Sequence, residues 1–547
     1  MYIDTATIKA NGKTYIRHLL RSSYRENGKV KHKTHANLSA CSTEVIQAIK
    51  LALKSKLDLS SMVNINDIKT VLEQRIGAVW SLKTIAQRLG ISKALGTGRQ
   101  AKLALLQIFA RIIEQCSRLS AVRLATHHAL CEVLGIDKLD EDDLYENLAW
   151  LADNQEQIEK KLFIQRFSGT LPTLFLYDVT SSYLEGECNE LAAYGYNRDG
   201  KKGKMQIVVG LLTAPDGNPV AVRVFTGNTQ DSKTVSAQIR ILAENFGIKE
   251  VTLVGDRGMI KGPQIEALPN DFRYITAITK PQIRTLLSKG RLQYELFADD
   301  VCEVQEGGVR YVLRRNPVRA QQLALNHDEK FKSMQKKAID CNTYLEEHPK
   351  AHTATALKKL NAKAKQLQIG SWVNVTANGR SVLVEKDEDN LREAALLDGC
   401  YVIKSDVPQA IADAQIIHDR YCDLEMVERA FRTMKTSHLD LRPINVRKEA
   451  STRGHVFVVM LALILQRELE RCWVDLDCTV KEGIDELGSI RLERIEIGDT
   501  SIHKIPTPDT FTQKLLDAIH VQLPAMLKLK PANVHTKKKL PSERNLY

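Results

Sequence analysis

Three carboxylates, Asp178, Asp256 and Glu428, stand where the surrounding pattern calls for apolar or neutral side chains. Asp178 is embedded in LPTLFLYDVTSSYL, an apolar run too continuous for an edge strand, and Asp256 ends the buried-strand pattern KEVTLVGDRGM. Glu428 lies in HDRYCDLEMVERAFRTMK, residues His418 to Lys435. At about 100° per residue, Tyr421, Leu424, Glu428, Phe431 and Lys435 fall within an arc of about 80° on one helix face. A carboxylate on such a core-facing stripe is costly unless a cation, a metal or hydrogen bonds compensate it. Taken alone, Glu428 is either a structural ion-pair residue or a ligand. Two further acids converging on one sheet edge favour the ligand. Oxygen donors without His or Cys suit Mg²⁺, with Mn²⁺ as a substitute. Two such ions about 3.5 to 4 Å apart can activate a water or a 3′-hydroxyl and stabilise the leaving oxygen of an in-line attack on phosphorus. That is nucleotidyl transfer on DNA. The glycines of YGYNRDGKKGK and GDRGMIKG fit neither a phosphate-binding loop nor a dinucleotide fingerprint.

The elements that must position these acids follow in order. After the Asp178 strand, MQIVVGLLTA and NPVAVRVFTG read as two strands joined through Pro215-Asp216-Gly217, so the three make an antiparallel meander. Residues 230 to 246 are an amphipathic helix, then comes the Asp256 strand, a short helix around 260 to 268, and the strand FRYITAIT. The order β, β, β, α, β, α, β is that of a ribonuclease-H-like fold, with the first and fourth strands side by side. Neighbouring strands lie about 4.8 Å apart, so Asp178 and Asp256 can share a cation. Without one, their repulsion raises a pKa.

The remaining chain is organised around this core. At 547 residues it is too long for one hydrophobic core. With 43% hydrophobic residues it is globular, and Lys and Arg exceed Asp and Glu by 78 to 66, giving +12 and a pI near 9.0. That balance favours a polyanionic partner, nucleic acid before anionic membrane. Ten scattered cysteines contain no CxxC pair and read as reduced thiols. The N-terminus lacks a signal-peptide core, and the longest apolar run, Val456 to Leu465, is half a membrane span. The expectation is a soluble, cytoplasmic, nucleoid-associated protein.

The predicted fold class is multidomain α/β. Residues 1–40 form a β-rich basic arm with turns at Asn11-Gly12 and Asn27-Gly28, either a solvated β face or a phosphate-contacting arm. Residues 41–165 form a helical, DNA-binding domain, in which TIAQRLGIS (Thr84 to Ser92) matches the first helix and turn of a helix-turn-helix. Residues 166–280 are the first part of the ribonuclease-H-like core. Residues 281–400 are an inserted α+β domain, a spacer or lid or else a DNA contact. Residues 401–475 return to the core with the strand GCYVIKSD, the Glu428 helix and a closing helix, HVFVVMLALILQRELERCW. Residues 476–547 are a C-terminal region with an amphipathic helix and a basic tail.

The segments DVTSSY, GNTQDSKTV, LVGDRGM and YCDLEMVERAFRTMK resemble the motifs of bacterial insertion-sequence transposases of the DDE class. The helix signature of that group is Tyr, two residues, Arg, three residues, Glu, six residues, Lys, and Tyr421, Glu428 and Lys435 keep its spacing. Leu424 stands at the Arg position, so the phosphate contact expected there is either lost or supplied by Arg429, Arg432 or Arg257. The resemblance implies that Asp178, Asp256 and Glu428 are the catalytic, metal-holding triad and that Tyr421 and Lys435 touch the DNA end. It implies double-stranded DNA as partner, both terminal inverted repeats and target, with a homodimer on two ends. The function implied is metal-dependent cleavage and strand transfer. Alternatives are a ribonuclease-H-like nuclease or domesticated transposase without strand transfer, and a non-catalytic DNA-binding regulator.

Overall fold

The computed structural model describes residues 1–547 except 11, 56–67, 116, 258, 267, 270, 437–438, 498–499, 528–529 and 537–547. Residue 11 of the first expected turn and most of the basic tail lie outside the described residues. The chain divides into two compact units.

The first unit comprises Met1–Glu73, Arg491–Pro506 and Pro524–Lys528. Its N-terminal strands Tyr2–Ala10, Lys13–Glu26 and Lys29–Asn37 form an antiparallel meander with mostly exposed side chains. Asn27 and Gly28, at φ 46° and 75°, make the tight turn that Asn-Gly favours. The strand Ile68–Arg75 lies in a four-stranded sheet with Arg491–Ile497, Thr500–Lys504 and Met526–Leu527. The C-terminal region therefore pairs with a strand from the segment expected to be helical, a long-range pairing with no local signature.

The second unit is built on an eight-stranded mixed sheet. Its strands are β1 (Leu174–Tyr183), β2 (Gln206–Thr213), β3 (Pro219–Thr226), β4 (Val251–Gly255), β5 (Phe272–Ala277), β6 (Cys302–Glu306), β7 (Val309–Arg315) and β8 (Cys400–Ser405). They lie in the order β6-β7-β8-β5-β4-β1-β2-β3. The expected meander is β1-β2-β3, antiparallel throughout, while β1, β4 and β5 run parallel. All eight residues of β2 are buried, as expected of a strand covered on both faces.

Helices Gly77–Arg88 (α1), Ile91–Leu95 (α2), Arg99–Glu114 (α3) and Glu141–Arg166 (α4) precede the sheet, and Asp231–Arg240 (α5) lies between β3 and β4. Phe163 of α4 stacks on Phe246 at 4.1 Å, and both pack with Phe175, Tyr177, Val208, Leu253 and Phe272 of the sheet. Pro317–Glu347 (α6) and Thr353–Leu367 (α7) follow β7, then Ala414–Cys422 (α8), Leu424–Lys435 (α9) and Glu449–Cys472 (α10) follow β8. α10 packs against β3, α3 and α4, and α9 against β1. The closing helix is thus where its apolar run predicts. No described helix is long and apolar enough to cross a membrane.

Three expectations need correction. Helices α1 to α4 belong to the same compact unit as the sheet and are not a separate module 41–165. Their apolar faces are consumed by packing, and α2, with Ile91, Ala94 and Leu95 buried, is too short and too buried to serve as a recognition helix. The insertion 281–400 is also smaller than expected, because β6 and β7 extend the main sheet through β8. α6, α7, the hairpin Val373–Asn378/Ser381–Lys386 and the helix Glu388–Ala395 share a core of their own around Trp372. Finally, the helix His418–Lys435 is two helices joined at Asp423, whose carbonyl accepts from Met426 N–H at 2.9 Å, a tighter turn than the α-helix makes.

Candidate active site

The register of β1 on β4 decides where the first two acids go. Leu174 to Tyr177 pair in parallel with Thr252 to Gly255, so Asp178 and Asp256 are the next residue of each chain at one end of the pairing. The Asp256 carbonyl accepts from Thr276 Oγ1 of β5 at 3.2 Å and from Met259 N–H at 3.1 Å, which fixes the turn leaving β4. On α9 the buried stripe is Leu424, Val427, Ala430, Phe431 and Met434. Glu428 borders this stripe and is exposed, so it is not the core-facing acid the helix arc predicted. The arc counted its flanking Leu424 and Phe431 but missed that Val427 and Met434 set the buried direction.

Asp178, Asp256 and Glu428 line one cavity of about 530 Å³ with Arg257, Tyr421 and Leu424. Asp178 is partly buried, and its pKa is pushed up to about 7, first by desolvation and then by the charges of Asp256 and Glu428. Arg198 and the Val179 N–H oppose the shift without cancelling it. Among the described residues, no three His, Cys, Asp or Glu side chains are gathered closely enough to hold a metal ion. The donor chemistry still fits a hard divalent cation: the three acids offer oxygen ligands only, and burial and then neighbouring negative charge raise the pKa of Asp178, which a cation would offset.

Residues 169–465, more than half of the chain, match the family model for the transposase DDE domain, and residues 3–62 match that for the IS1634 family transposase N-terminal domain. The chain belongs to the DDE transposase family. No curated protein matches it. A solved structure described as a cryo-EM structure of the piggyBac transposase synaptic complex with hairpin DNA is similar at 9% identity, with 75% of each chain covered and a TM-score of 0.35.

In this transposase Tyr421, in the last turn of α8, donates its hydroxyl to Asp256 Oδ1 at 3.2 Å. Burial, and then the Asp256 charge, raise the pKa of that hydroxyl, so it remains a donor. Arg257 is exposed in the cavity wall. Arg432 is exposed on the last turn of α9 and does not line the cavity, and Arg429 pairs loosely with Glu425 at 3.6 Å. Lys435 also lies outside it. Its ammonium sits 2.8 Å from Asp199, whose side chain is 1% exposed and also binds Arg442. Asp199 Oδ2 accepts from Tyr183 N–H at 3.1 Å, so one carboxylate joins the end of β1 to the end of α9. Sequence reasoning missed Asp199 and Arg442. Asp199 lies in NRDGKKGK, a polar, glycine-bearing loop whose composition reads as solvated.

Proposed function

We propose that this transposase binds the terminal inverted repeats of an insertion sequence and cleaves and joins DNA by in-line phosphoryl transfer. The observation that carries the reading is the meeting of Asp178, Asp256 and Glu428 on one cavity, from two adjacent parallel strands and a helix distant in sequence. The order β3-β2-β1-β4-β5 supports a ribonuclease-H-like core. Asp178, Asp256 and Glu428 would hold Mg²⁺, or Mn²⁺ in its place, as a pair of ions. Bound there, the metal supplies an activated oxygen nucleophile and stabilises the leaving oxygen.

The protein's own groups do the rest. Tyr421 orients the Asp256 carboxylate through its hydroxyl. Arg257, in the same wall, takes the phosphate contact that Leu424 cannot make. Lys435 and Arg442, gathered on Asp199, add positive charge beyond the end of α9. Two copies act together on two DNA ends, in the cytoplasm.

The test is incubation of the full chain with Mg²⁺, DNA ending in the inverted repeats that flank its reading frame, and a plasmid target. Joining of the 3′-hydroxyl end to the plasmid is the expected result. Cleavage without joining points to a nuclease, and binding without cleavage to a regulator; either overturns the reading.

A further inference from the structure

Beside the acidic cavity lies a second one of about 610 Å³, and Arg257 lines both. Its volume is in the range that accepts a small organic group. Tyr194 and Tyr196 line it, 66% and 83% exposed, from the loop 184–205 between β1 and β2. Arg198 and Lys261 bring further positive charge, of which Asp231 neutralises one unit by pairing with Arg198 at 2.6 Å. The Arg198 guanidinium lies 5.8 Å from the centre of the Tyr196 ring.

The loop holding these tyrosines is fixed from below. Ala193 and Gln206 exchange backbone hydrogen bonds of 3.2 and 3.1 Å, and Gly227 N–H donates to the Leu191 carbonyl at 3.0 Å. A Cβ on Gly195, between the tyrosines, would stand 2.2 Å from the Gly227 carbonyl oxygen, so the close approach requires glycine there. Gln206, 1% exposed, donates its Nε2 to the carbonyls of Tyr196 and Gly227 at 3.1 and 2.8 Å. Those two bonds orient its amide and leave Oε1 without a donor among the described residues.

Two exposed aromatic rings on an ordered backbone, with cations around them, are what an unpaired base and its phosphates need. A paired duplex hides its base faces in the stack. We propose that this cavity takes an unpaired nucleotide of the strand that leaves the acidic cavity past Arg257. The base stacks on Tyr194 or Tyr196, and the phosphate lies against Arg198 or Lys261. The proposal rests on the DNA-processing function above.

The test uses the full chain and a labelled oligothymidylate of about ten nucleotides, within the usual span of single-strand sites. Fluorescence anisotropy at fixed salt should show affinity about five- to a hundredfold weaker for Tyr194→Ala/Tyr196→Ala, and near wild type for Tyr194→Phe/Tyr196→Phe. An oligonucleotide carrying 5-iododeoxyuridine should photo-cross-link to Tyr194 or Tyr196. Equal affinity of the alanine double variant, or adducts only elsewhere, overturns the proposal. The readout needs no cleavage. A chain that never cleaves repeat DNA but shows tyrosine-dependent binding keeps this site and loses the proposed function, whereas cleavage with tyrosine-independent binding does the opposite.

Discussion

At the scale of residues, Asp178 makes the site sensitive to pH. Its folded pKa of about 7 lies above the value near 4 of an unfolded Asp. Below about pH 4 both states are protonated and the group contributes nothing. Between about 4 and 7 the unfolded chain releases the proton while the folded one keeps it, so stability of the metal-free protein falls as pH rises, then levels. Denaturant unfolding in EDTA across that range should show this slope, and Asp178→Asn should flatten it; an unchanged slope assigns it to another group. Asp199 behaves differently because its buried charge is already matched by Lys435 and Arg442. Asp199→Ala strands two cations and should cost about 3 to 5 kcal/mol in urea unfolding. Lys435→Met should cost less, since Asp199 keeps Arg442 and the Tyr183 N–H. Equal costs would contradict this account of Asp199. Asp178 and Asp256 stood out in the sequence because the first interrupts an apolar strand and the second directly follows one. Asp199 did not, because a charged residue in a polar loop carries no mark of burial.

Among the elements, those whose side-chain period is complete within one segment were readable: β1 to β5, the amphipathic α5 and the apolar α10. The stripe of α9 was misread because Leu424 and Phe431 are shared by two possible faces, and only contact with β1 selects the one through Val427 and Met434. β6 and β7 were assigned to an insertion because a hairpin's sequence reports its turn and pairing, not the third strand it joins. The contact of α10 with α4 turns on Gly454, where a Cβ would stand 2.0 Å from the Leu148 carbonyl oxygen. Gly454→Ala should force the helices apart and cost about 1 to 3 kcal/mol, as overpacked cores do. An unchanged unfolding midpoint would mean that this interface yields without cost.

For the whole molecule, what the sequence withheld was long-range pairing: residues 491–504 beside 68–75, and helices 77–166 in one unit with the sheet. Removing residues 77–166 should therefore yield insoluble or unfolded protein, not a soluble catalytic unit that has lost only sequence preference. With a net charge of +12, affinity for DNA should fall steeply with salt through counterion release, and a flat plot of log affinity against log salt would contradict that. The central claim is that three acids from three distant segments form one cation-dependent centre. Its most direct measurement is cleavage of terminal-repeat DNA in Mn²⁺ by Asp178→Asn, Asp256→Asn and Glu428→Gln, with circular dichroism matched to wild type. Each variant is predicted to lose on the order of a hundredfold or more in rate while still binding the DNA. A well-folded variant that cleaves at near wild-type rate would remove its residue from the centre and contradict the account.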